Sequence, residues 1–137
     1  MWDVNLWAVL VSAIVSMVIG SIWYGPLFGK KFMAAKGMAA WTPEQQAAMK
    51  NKMIATYAAQ FVASLLMFYT LAGITIGFGH ATLGGGLLSG FVMWFGFVVP
   101  LKLGEELWGG KQVLFWLGIG HMLVTLLAAG AIIGIWR

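Results

Sequence analysis

The sequence predicts an all-α polytopic membrane protein, four transmembrane helices in a compact bundle. Three observations carry that expectation: 61% of the 137 residues are hydrophobic, only 9% are charged, and the apolar residues collect into four runs between short connections. A soluble domain is about 25% charged, so water is not the solvent this chain was built for, and its mean hydropathy of +0.90 agrees. A hydrocarbon layer of ~30 Å needs about 20 apolar residues per crossing. Four crossings therefore use nearly the whole chain, and residues 1–137 form one domain.

Reading forward, the runs fall at about 4–24, 53–78, 83–103 and 113–136. In lipid each must be helical, because every backbone N–H and C=O needs a partner within its own segment. The start, MWDVNLWAVL, has an acid where a signal peptide needs basic residues, so the first helix is expected to be retained. The connection at 25–52 divides in two. GPLFGKKFMAAKGM mixes Phe28, Phe32, Met33 and Met38 with lysines, which suits an amphipathic segment on anionic headgroups and equally suits apolar residues packed under the bundle. WTPEQQAAMKNK offers Thr42 as N-cap, Pro43 at the first helical position and Gln45 to complete a capping box, so a helix should start there and run into the second span.

Direction follows from the basic residues. The first connection carries Lys30, Lys31, Lys36, Lys50 and Lys52 and the third carries Lys102 and Lys111, against Arg137 alone on the other side. Cationic loops stay in the cytoplasm. Both termini and the His80 turn are then periplasmic, in a bacterial inner membrane. Trp2, Trp7 and Trp136 would mark the outer interface, and Trp23, Trp108 and Trp116 the inner one. The net charge of +4 is spread along the chain, which points to a membrane surface and membrane lipids as partners, not to nucleic acid.

Lipid tails are as apolar as leucine, so helices in a bilayer associate through close packing of small residues spaced four apart. Such rows run through Ala8, Ser12, Ser16 and Gly20; Ala55, Ala59 and Ala63, then Gly73 and Gly77; Gly86 and Gly90; and Gly130 and Gly134. They predict a compact bundle, with some faces left for another subunit or a second copy. LAGITIG in the second span parallels AAGAIIG in the fourth, and GPLFGKK parallels VPLKLGEE. Both halves enter from one side, so a true duplication would give two parallel-repeated helical hairpins; chance similarity among small apolar segments competes with that reading.

The chemistry-bearing residues are few. Pro100 lacks an N–H and should kink the third span. Lys102 stands one turn before Glu105 and Glu106, close enough to snorkel to the interface and pair with Glu106. The cluster reads as an interfacial ion pair or, alternatively, as a headgroup site or ion path. Adjacent glutamates point about 100° apart on a helix, which excludes a paired-carboxylate hydrolase. His121 lies two to three turns into the fourth span, just after Gly118 and Gly120, where an ionisable group is a functional candidate. Its structural reading is a neutral pin bonded to Thr56, Gln60 or Ser64. Axial ligation of a tetrapyrrole is a further reading, as is proton relay. HATLGGGLLSG lacks the lysine and hydroxyl of a phosphate loop. No metal-ligand spacing or catalytic triad appears, and the chain has no cysteine. No enzyme is expected, and the residues do not identify a cofactor.

The segments WYGPLFGKKFM, ASLLMFYTLA, LLSGFVMWFGFV and LWGGKQVLFWLGIGHMLVTLLAAGAIIGIW cover nearly the whole chain and resemble the bacterial membrane family catalogued as domain of unknown function 1761. Two positions depart from that pattern: Gly25, where members commonly carry Ser, and LGEELWGGK, where they show a polar Asn-type residue. The resemblance implies a small four-helix integral membrane protein and brings no reaction with it. Three functions follow as expectations: an accessory or assembly subunit first; a small transporter or channel with a path near Pro100, Lys102 and His121 second; a lipid- or tetrapyrrole-binding protein third. A water-accessible cavity reaching His121 would favour transport, and a dry, evenly packed bundle would favour the subunit.

Overall fold

A computed structural model describes residues 3–37, 41–79 and 82–136, the side chain of Leu107 excepted. Its elements are α1 (Leu6–Ile22), α2 (Gly29–Ala35), α3 (Pro43–Gly77), α4 (Leu83–Met93), α5 (Val99–Lys102) and α6 (Gln112–Ile135). Widened helical turns at Trp23–Leu27, Trp94–Val98 and Leu103–Leu107 extend α1 and join α4 through α5 into one rod. Four helices are thus long and apolar enough to cross a membrane: Leu6–Leu27, Pro43–Gly77, Leu83–Glu106 and Gln112–Ile135. No strand occurs among the described residues. The His80 turn, Trp2, Met38 and Arg137 lie outside them.

The helix ends form where side chains supply the missing partners. Asn5 accepts from the backbone N–H groups of Trp7 and Ala8, and its amide donates to the Trp136 carbonyl at 3.4 Å, tying the start of α1 to the end of α6. Thr42 accepts from the Gln45 N–H while the Gln45 side chain accepts from the Thr42 N–H, the expected capping box with Pro43 behind it. The helix so started runs unbroken through 35 residues. At 1.5 Å per residue it is about 52 Å long, well beyond the hydrocarbon layer. Gly79, with φ 74°, turns the chain at its far end.

The widened turns have a chemical cause. Pro26 stands inside the first, and Pro100 follows the second by two residues. A proline has no N–H to return and its ring crowds the carbonyl four residues back, so the helix relaxes to bonds five residues apart. Phe28 N–H reaches the Trp23 carbonyl at 2.9 Å, and Val99 N–H reaches that of Trp94. The expected end of the first span at Tyr24 is therefore too early, because the helix continues through this turn to Leu27.

The fourth span is the central helix, packed most extensively against α4 and next against α1. Its contact with α4 is backbone on backbone. A Cβ added to Gly86 would run into the Gly130 carbonyl, one on Gly90 into the Leu126 carbonyl, and one on Gly134 into the Thr82 carbonyl. The rows at Gly86, Gly90, Gly130 and Gly134 thus pack as expected. Ser12 and Ser16 are also buried, and Gly20 faces His121.

The core joins Ala8, Val9 and Ala13 of α1, Phe68, Leu71 and Ala72 of α3, and Leu126, Ala129 and Ile133 of α6. It fills the half of the bundle away from the lysine-rich connections. In α3, residues 42–60 are exposed throughout, and burial begins only near Ser64. Ala59 and Ala63, expected to pack, are exposed because the helix leaves the bundle over that stretch; Ala55 is exposed with them. In residues 25–37, Phe28 rests on Trp23 and Phe32 on Tyr24, with ring centroids 4.8 and 4.7 Å apart, while Lys30, Lys31 and Met33 face outward.

Gly86→Ala or Gly130→Ala should lower the thermal unfolding midpoint in detergent by the equivalent of about 1–3 kcal/mol, the usual cost of overpacking. Gly84→Ala meets open space and should be neutral or slightly stabilising; equal losses at all three positions would contradict the backbone contact.

Candidate functional site

Because α3 separates from its neighbours on the lysine side, the interface of α1, α3 and α6 is open over that half. It holds a cavity of about 560 Å³, within the range of small-molecule sites. Its wall includes Ser16, Met17, Ser21 and Tyr24 from the first span, Tyr57, Gln60, Ser64 and Met67 from the second, and His121, Met122 and Thr125 from the fourth. Lys102 closes it from the third span.

Lys102 lies across α6 where Gly118 leaves room; a Cβ there would stand 3.6 Å from the lysine Cε. Its ammonium is 3.7 Å from Glu105 and 3.9 Å from Glu106, so the expected pairing with Glu106 forms and Glu105 joins it. Both distances exceed hydrogen-bonding range. Attraction holds the ammonium in place while its donor protons stay available, and the two carboxylates stand outside the cavity wall.

His121 is wedged against α1. A Cβ on Gly20 would lie 3.4 Å from its Nε2, and its ring centroid is 5.1 Å from that of Tyr24 and 6.4 Å from that of Trp23. The expected bond to Thr56, Gln60 or Ser64 does not form: Nε2 has no partner among the described residues, and the Ser64 hydroxyl donates to the Gln60 carbonyl of its own helix at 2.8 Å. The cause is the departure of α3 from the bundle over those residues.

Two hydroxyls share that lack of a partner. Ser12, 1% exposed, and Thr125, 2% exposed, have no bond to their oxygens among the described residues. Elsewhere Ser16, Ser21, Ser64, Thr70 and Thr75 turn back to a carbonyl of their own helix at 2.8 or 2.9 Å. A buried polar group without a bond costs about 1–3 kcal/mol. Thr125 lines the inner end of the cavity, and Ser12 lies beyond it in the packed layer around Phe68. Past that layer the same three helices enclose a second cavity of about 480 Å³, lined by Asp3, Val4, Asn5, Ala8, Ala72, Ile76, Ile133 and Trp136.

The sequence matches the family described as "Protein of unknown function (DUF1761)" over residues 7–134. The chain belongs to the DUF1761 family. No curated protein and no solved structure matches it.

In this DUF1761 protein two tryptophans that tie the first and third spans to the fourth escaped sequence reasoning. Trp23, expected at the membrane interface, turns inward and donates its indole N–H to the Leu117 carbonyl at 3.0 Å; Trp94 does the same to Ile119 at 2.7 Å. Trp23 also covers Gly120, where a Cβ would sit 2.9 Å from its ring. The signal that could have found them is the repeated Trp-aromatic-Gly at Trp23-Tyr24-Gly25 and Trp94-Phe95-Gly96. The remaining candidates divide by distance: Lys102, His121 and Gln60 share the cavity, whereas Pro100, Glu105 and Glu106 do not line it.

Trp23→Phe and Trp94→Phe should each lower stability in detergent by about 1 kcal/mol, the usual worth of one hydrogen bond. Trp116→Phe, at a ring 65% exposed, should leave the midpoint unchanged.

Proposed function

We propose that this DUF1761 protein is a small, non-catalytic carrier in the bacterial inner membrane, moving a solute along the α1/α3/α6 interface. The lysine-bearing connections face the cytoplasm on this reading. One observation carries it: two cavities lie at opposite ends of a single three-helix interface, separated by a packed layer. In α1 the layer runs from Ser16 to Ala8, about 12 Å at helical rise, and in α3 from Met67 to Ala72, about 7 Å.

The make-up of the layer suits a part that opens. Alanines Ala13 and Ala129 leave little side chain to displace, Phe68 fills the centre, and Ser12 and Thr125 hold hydroxyls that gain bonds when solute or water arrives. A channel would need a continuous path, and the packed layer interrupts it. An accessory subunit would need an evenly filled interior, and the cavity reaching His121 argues for the carrier instead. A carrier also accounts for the polar lining of the lysine-side cavity, since buried polar surface without a ligand only weakens a bundle.

The absence of native cysteine makes the test direct. Single variants Ser21→Cys, Ser12→Cys and Ile76→Cys are exposed to a membrane-impermeant thiol reagent in right-side-out and inverted vesicles. Ser21→Cys should react from the cytoplasmic side only, Ile76→Cys from the periplasmic side only, and Ser12→Cys slowly from both. A Ser12→Cys protein that reacts from neither side, while the other two react, describes a static layer and overturns the proposal.

A further inference from the structure

We infer that the solute taken by the lysine-side cavity is a small organic anion with an apolar body; the inference rests on the carrier reading and deepens it. Lys102 is the one charged residue in that cavity's wall among the described residues. Its two acidic neighbours hold it from outside at distances too long for hydrogen bonds. An ammonium with unused donors, at the edge of a half-enclosed apolar site, is the arrangement that favours a carboxylate or similar anion, because the low local dielectric strengthens the attraction.

The rest of the wall fits the rest of such a molecule. Met17, Met67 and Met122 present flexible thioethers, which adapt to varied apolar shapes. Gln60 and Tyr57 sit on the exposed stretch of α3 and line the side of the cavity, placing amide and phenol donors where a headgroup would pass. Thr125 at the inner end, buried and unpartnered, lines the wall beyond them. A cation would meet the lysine first and find no carboxylate in the wall. A neutral, non-accepting solute would leave the ammonium's donor protons without an acceptor when the site closes.

The two glutamates distinguish this site from a merely structural ion pair. If Lys102 only anchors the helix end, neutralising Glu106 weakens it. If Lys102 binds an anion, the same change removes a competitor and strengthens binding.

The test uses Ser21→Cys in the otherwise cysteine-free chain, reconstituted in lipid nanodiscs, with the rate of alkylation by neutral N-ethylmaleimide as readout. The probes are octanoate, octylammonium and octanol, matched in chain length and compared at equal membrane-bound concentration, because the neutral alcohol partitions into lipid more strongly than the two ions. Octanoate should protect at concentrations about tenfold or more below those of the other two, the worth of one charge-assisted hydrogen bond. That advantage should vanish in Lys102→Gln, persist in Lys102→Arg and in the control Lys111→Gln, and grow several-fold in Glu106→Gln. Equal protection by the three probes, or a loss in Glu106→Gln matching that in Lys102→Gln, overturns the anion assignment while leaving the carrier reading to the two-sided labelling of Ser12→Cys. Protection by none of them, in a protein whose Ser21→Cys reacts, overturns it as well.

Discussion

The structure depends on the contact between the glycines of the third and fourth spans. In a bilayer there is no gain in hiding one leucine against another, so helices stay together where their backbones approach closely enough for dispersion to add up. Gly86, Gly90, Gly130 and Gly134 provide that approach, each backed by a carbonyl of the facing helix. The fourth span is thereby fixed as the helix on which the others are placed. The first span lies along its other side, held by Asn5 at one end and by the Trp23 indole at the other.

The second span is placed differently. Its far half is clamped by Phe68, Leu71 and Ala72, while its first half is a capped helix that finds no neighbour. That helix has its buried residues from Ser64 onward and is exposed over 43–60, so tight packing at one end leaves a gap at the other. The cavity is that gap. Its polar lining is therefore a consequence of two separate facts: the helices diverge there, and Ser16, Gln60, Lys102, His121 and Thr125 happen to face the divergence.

The prolines act in the same direction. The widened turn before Pro100 re-aims the end of the third span and carries Lys102 over Gly118, while Trp23 and Trp94, each at the start of such a turn, reach the Leu117 and Ile119 carbonyls of the fourth span. Without the extra residue in the turn after Trp94, Lys102 would point about 100° away. Binding geometry and helix packing are thus set by the same local departures from regular helix.

Four crossings, their helical nature, the capping box at Thr42 and the small-residue rows were legible from residue types alone, because length, hydropathy, cap chemistry and spacing are local properties of a chain in lipid. The Lys102–Glu106 pair was legible for the same reason, being four residues apart on one helix. The inward turn of Trp23 was not, because it depends on how the first span lies on the fourth. Nor were the exposure of Ala59 and Ala63 and the lack, among the described residues, of a hydrogen bond to His121 Nε2, because those depend on how far the second span stands from the fourth. That separation comes from tertiary packing: close glycine contacts on one side of the fourth span, a bulky Phe68 layer at one end of the other, and no local pattern that records the difference.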